Sequence, residues 1–90
     1  MALSVAQLIA AAETCGEALR LLRAARHVTR AYLVARARST ISADSISLSE
    51  RGKRPMLSQP CTAVAHTLGL TDGDAAHLML RARIDRALEA

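Results

Sequence analysis

Tyr32 is the one aromatic residue among ninety, and there is no Phe or Trp. A core must then be assembled from Leu, Ile, Val, Ala and Met, side chains that suit packed helices better than twisted sheets. With 51% of the chain apolar and only ninety residues, there is material for one modest core and not for two. The expected fold is a compact all-α domain of five helices, with room for an extra N-terminal helix. The same shortage of aromatics argues against a single-strand nucleic-acid binder, which needs several rings on which bases can stack.

The net charge of +4 is unevenly spread. Residues 1 to 54 carry nine Lys or Arg against four acids, whereas residues 55 to 90 carry three against four. A positive face therefore belongs to the first half of the chain. Cys15 and Cys61 stand apart, without a C-x-x-C pair or flanking histidines, so neither a zinc site nor a disulfide framework is expected. Buried thiols in a reducing compartment are. The first residues, MALSVAQLIAAAE, have no basic region and are too short to span a bilayer, so the expected location is cytoplasmic. His66 and His77 lack a carboxylate or Cys partner at metal or triad spacing, and no enzyme, metal or cofactor is expected.

Along the chain, residues 3 to 12 favour a helix and Gly16 weakens its continuation. In EALRLLRAAR, Ala18, Leu22 and Ala25 form one stripe and Arg20, Arg23 and Arg26 another, with Leu19 on the arginine side. Thr29 caps a second helix, RAYLVARA, with Leu33, Val34 and Ala37 inward. The next stretch, RSTISADSISLSE, is ambiguous. Ser42 suits a cap for a helix from Ala43, but Ile46 and Leu48 alternate with serines as in a strand. Then Gly52 supplies a left-handed stop and Pro55 prevents resumption, while Arg51, Lys53 and Arg54 surround the glycine where they can grip phosphates. Ser58 and Pro60 start another helix with Val64, Ala65 and Leu68 inward, and Gly69 stops it. A last helix opens at Thr71, with Asp72 and Asp74 first and Arg81, Arg83 and Arg86 towards its end, complementing the helix dipole.

In this order, residues 16 to 72 resemble the lambda-repressor-like (Cro-type, XRE) helix-turn-helix family. GEALRLLRAARHVTRAYLVARA is similar to its first two helices, SADSISLSERGKRP to its recognition helix and following stop, and AVAHTLGLTDGD to its fourth helix and the turn beyond. The resemblance implies a helix-turn-helix domain over 16–72, an N-terminal arm or short helix over 1–15, and a C-terminal helix over 73–90 that packs on the domain or dimerises. It implies double-stranded DNA as the partner, with one helix across the backbone and the next in the major groove. Carried over by position, Arg30 begins the crossing helix, where the family usually has a Gln on a phosphate. Ser42, Ala43, Asp44, Ser45, Ser47 and Leu48 occupy the groove-facing stretch, and Arg51, Lys53 and Arg54 the backbone-gripping turn. Arg23 and Glu50 match a structural ion pair tying the first helix to the end of the third.

Four departures bear on readout. Arg38-Ser39-Thr40 stands where the family has a single glycine, so the turn is two residues longer. Ser49 takes the place of a large apolar anchor, which Leu48 fills only if the helix register shifts by one. His27 replaces the usual Gly before Val28, at modest cost in the left-handed region. The groove-facing stretch also lacks Arg, Lys, Asn and Gln, the side chains shaped for bidentate contact with purines, which points to weak or shape-based readout. The expected function is a sequence-preferring transcriptional regulator, a repressor acting as a homodimer. The alternative is an antitoxin-type module that binds a toxin or other protein on the same fold, with weak or lost DNA readout. A second helix-turn-helix pattern over Cys61 to Leu80 resembles the last region of a sigma factor. Its reading helix would present Asp72 and Asp74 to phosphate.

Overall fold

Hydroxyl side chains set nearly every helix start in this protein. The computed structural model describes residues 4–37, 42–56 and 58–89, and every regular element among them is helical: α1 Val5–Ala11, α2 Cys15–Ala25, α3 Arg30–Ala37, α4 Ala43–Glu50, α5 Ser58–Thr67 and α6 Asp72–Glu89. Ser4 and Gln7 close a reciprocal capping box on α1. The side chains of Thr14, Thr29, Ser42 and Thr71 each accept a hydrogen bond from the backbone N–H three residues on, capping α2, α3, α4 and α6.

Three helices stop in the same way, with a left-handed residue just past the end. His27 (φ 55°), Gly52 (φ 73°) and Gly69 (φ 75°) follow α2, α4 and α5. The next N–H then reaches back to the third residue from the helix end: Val28 to the Arg23 carbonyl, Lys53 to Leu48 and Leu70 to Ala65. The serine-rich stretch from Ala43 is a helix, its capping by Ser42 prevailing over the strand-like alternation of Ile46 and Leu48.

Helix α2 touches α1, α4 and α6, while α3 bridges α4 and α5, and α5 lies along α6. Ile9, Leu19, Leu22, Leu33, Ile46, Met56, Val64 and Leu78 fill the centre, each fully or almost fully removed from water. A side chain of this size stabilises by roughly 1.5–3 kcal/mol when fully buried. Two expectations for α2 are corrected. Leu19 is buried and Ala25 exposed, because the buried stripe runs Cys15, Ala18, Leu19, Leu22. The helix over the first residues does end before α2, at residues 12–14, and Gly16 lies in the first turn of α2 against α4, where a Cβ would sit 1.8 Å from the Ser49 carbonyl oxygen. None of the described helices is long and apolar enough to cross a membrane.

Candidate nucleic-acid interface

Glu50 ends α4 with a completely buried side chain, and three bonds satisfy it. Oε2 accepts from Arg23 Nε at 2.9 Å, while Oε1 accepts from Arg23 Nη2 at 3.0 Å and from Arg30 Nε at 2.9 Å. Arg23 also donates from Nη1 to the Val28 carbonyl at 3.0 Å. One carboxylate thus gathers the end of α2, the start of α3 and the end of α4. The bond to Glu50 raises the Arg23 pKa despite the opposing cost of burial, so this guanidinium stays charged throughout the accessible pH range. Two cations on one anion leave a positive surplus, and the Arg30 side chain, 40% exposed, carries it to the surface.

The chain leaves this node directly into the turn Arg51–Pro55. Its left-handed Gly52 reverses direction, and Arg51, Lys53 and Arg54 are all exposed. Arg51 Nε lies 3.4 Å from the Ser47 carbonyl, too long to hold the side chain firmly. Five cations and one acid therefore meet within a short stretch of structure. This arrangement attracts polyanions before any shape is read.

At the other end of α4, Ser42, Ala43 and Asp44 are exposed, and Ser45, Ser47 and Leu48 are half-buried. Ser42 Oγ accepts from the Ser45 N–H at 3.1 Å and lies 3.1 Å from Ser45 Oγ, so both hydroxyls are ordered at the helix tip. Ile46 is the buried apolar residue of this helix. Ser49, at the position of the expected large anchor, is buried against Gly16 instead, and Leu48 stays half-buried. The contact is made by the Ser49 backbone, and the missing side chain of Gly16 is what lets α2 and α4 approach there. The Arg38-Ser39-Thr40 turn lies outside the described residues.

Tyr32 and Arg36 on α3 are both exposed, with the Arg36 guanidinium 5.2 Å from the ring centroid, and they sit beside His66 and Thr67 of α5, on the side of α3 away from Arg30. Their i, i+4 spacing was the available signal. The bond from Arg30 to Glu50 was not expected, because the resemblance gives the position of Arg30 to a phosphate contact and pairs Glu50 with Arg23 alone. Elsewhere, His66 is exposed and His77 half-buried, and the described residues contain no group of three side chains able to hold a metal. Cys15 and Cys61 are fully buried with their Sγ atoms 3.8 Å apart. The hydrogen bond with Cys61, then burial, push the Cys15 thiol far up, so it is neutral and unreactive in the folded protein.

Comparison with protein-family models, curated proteins and solved structures found no match for this chain.

Proposed function

We propose that this chain is a sequence-preferring double-stranded DNA-binding regulator of transcription, acting as a repressor on a lambda-repressor-like helix-turn-helix scaffold. The observation that carries the reading is the Glu50 node, which sets half-exposed Arg30 beside the exposed Arg51, Lys53 and Arg54 at the far end of a helix with an exposed tip. In this reading α3 lies across the backbone with Arg30 on a phosphate. Arg51, Lys53 and Arg54 hold the adjacent backbone, and the Ser42–Ser45 end of α4 with Ser47 enters the major groove. Asp44 can accept from a cytosine amine, the serine hydroxyls can bond either kind of base, and Ala43 can touch a thymine methyl. These are modest contacts, so affinity rests mainly on the cations and selectivity on few base edges and duplex shape.

The test is duplex binding across a salt series. Each phosphate contact removed flattens the slope of log K against log salt by about 0.9. Arg51→Ala and Lys53→Ala should each weaken binding on all sequences and flatten the slope by roughly that amount. Ser47→Ala should change base preference at unchanged slope. If no duplex binding appears at low salt, or none that the two charge removals weaken, the reading fails. Selection from a random duplex pool checks readout: an enriched palindrome supports a regulator, and no enrichment supports the interaction module.

A further inference from the structure

The one aromatic side chain of this protein is not in its core. Tyr32 is 45% exposed on α3, although aromatic rings are among the strongest contributors to a buried core. It stands at the groove between α3 and α5 and lines two adjoining hollows, of about 280 Å³ and about 310 Å³. Thr67 of α5 borders both, but the two differ in chemistry. Val28 and buried Leu68 line the first, together with exposed His27 and Thr29. Arg36 and His66, both exposed, line the second. The polar groups at this groove are not used by the fold: among the described residues, Tyr32 Oη, the Arg36 guanidinium and the rings of His27 and His66 make no hydrogen bond or ion pair. Neither α3 nor α5 carries an Asp or Glu that could offset Arg36. His27 occupies a left-handed stop (φ 55°) of the kind that glycine fills after α4 and α5, so a side chain is kept at this hollow at a conformational cost.

We propose that this groove binds a small amphipathic carboxylate. Its apolar body, a single ring or a short alkyl group, fills the hollow of Val28 and Leu68, and its charged head reaches Arg36 and His66 beside the Tyr32 ring. The guanidinium offers a planar fork of N–H donors that matches a carboxylate, and Tyr32 Oη and a His66 ring N–H can each add a further bond. One arginine suits a single negative charge. A phosphate ester carries nearly two and calls for a second fixed cation, which the lining of neither hollow supplies. Each hollow lies near the lower end of the range for small-ligand sites, so the occupant is a compact acid rather than a dinucleotide or a peptide. The site is on the side of α3 away from Arg30, and it stands whether or not the protein binds DNA.

Tyr32 also supplies the assay, because the chain holds no other tyrosine, phenylalanine or tryptophan and the ring resonances of labelled tyrosine report on this groove alone. The full chain, without DNA, is titrated with benzoate, hexanoate, benzamide, acetate and inorganic phosphate. Benzoate or hexanoate should shift the Tyr32 resonances saturably, with a Kd of about 1 mM or tighter, as expected for a ligand of this size. Benzamide, which keeps the ring without the charge, and acetate, which keeps the charge without the body, should each bind at least about tenfold more weakly. Arg36→Gln should weaken benzoate by about tenfold or more, the loss of a charge-assisted hydrogen bond, at unchanged helical content. No saturable shift with either longer acid overturns the proposal. So does benzamide or phosphate binding as tightly as benzoate, or an Arg36→Gln variant that binds benzoate as the wild type does. Since no duplex is present, failure here leaves the DNA-binding reading untouched, and failure of duplex binding leaves this site standing.

Discussion

Gly16 is the residue on which the meeting of α2 and α4 depends. Its backbone conformation is ordinary helix, so no positive φ calls for glycine here. The demand is spatial, because an added Cβ would lie 1.8 Å from the Ser49 carbonyl oxygen and 2.3 Å from its carbon. The atoms it would meet are all backbone, so no side chain can swing aside to relieve the clash. Gly16→Ala must push α4 away from α2 and loosen the Arg23–Glu50 bonds that span the same gap. Overpacking against a yielding side chain costs about 1–3 kcal/mol, and a clash with a carbonyl belongs at or above the top of that range. For a domain of this size, 3 kcal/mol corresponds to a fall in Tm of more than about 12 °C. Thermal unfolding by circular dichroism checks it, and a fall below about 4 °C would show that the helices separate freely.

At the scale of elements, the three helices α2, α3 and α4 are held by one ion cluster rather than by apolar contact alone. Glu50 is fully buried while its partners Arg23 and Arg30 keep 17% and 40% of their side chains exposed, so the anion bears most of the desolvation cost. Glu50→Gln keeps the shape but leaves two guanidiniums facing a neutral amide that can accept only at its carbonyl oxygen. The expected loss is about 2 kcal/mol in urea unfolding, because two part-exposed guanidiniums lose charge-assisted hydrogen bonds while the buried charge itself is removed. A loss under about 1 kcal/mol would put the cluster on a par with a surface pair. Part of this node was legible: the resemblance implied the pairing of Arg23 with Glu50, and Gly52 and Gly69 announced their left-handed stops. Caps at Thr29 and Ser42 were readable for the same reason, since each acts on a backbone group three residues away. What escaped was non-local. Arg30 reaching Glu50, Gly16 meeting Ser49, and Cys15 beside Cys61 join residues 20, 33 and 46 positions apart, and no local pattern encodes them. Leu19 was misjudged because its apparent neighbours were arginines on its own helix, whereas its burial is decided by helices that arrive later in the chain.

For the molecule as a whole, the cations that would hold a polyanion also repel one another in its absence. Arg51, Lys53 and Arg54 are exposed within four residues, beside the unbalanced charge that Arg30 brings to the Glu50 node, in a chain of net charge +4. The carboxylate that could offset them is sealed from solvent and already shared by two arginines. Raising ionic strength from about 0.01 M to about 0.15 M shortens the Debye length from roughly 30 Å to roughly 8 Å, which screens the exposed cations while affecting the buried pair much less. The free protein should therefore gain Tm with added salt over the range in which its duplex affinity falls. Lys53→Ala separates the two effects. It should weaken duplex binding, leave the Tm at low salt equal or higher, and reduce the rise in Tm with salt. A Tm that falls with salt in the wild type, or drops in Lys53→Ala together with affinity, would mean that these cations stabilise the fold through ion pairs of their own. They would then have no surplus charge to offer a phosphate backbone.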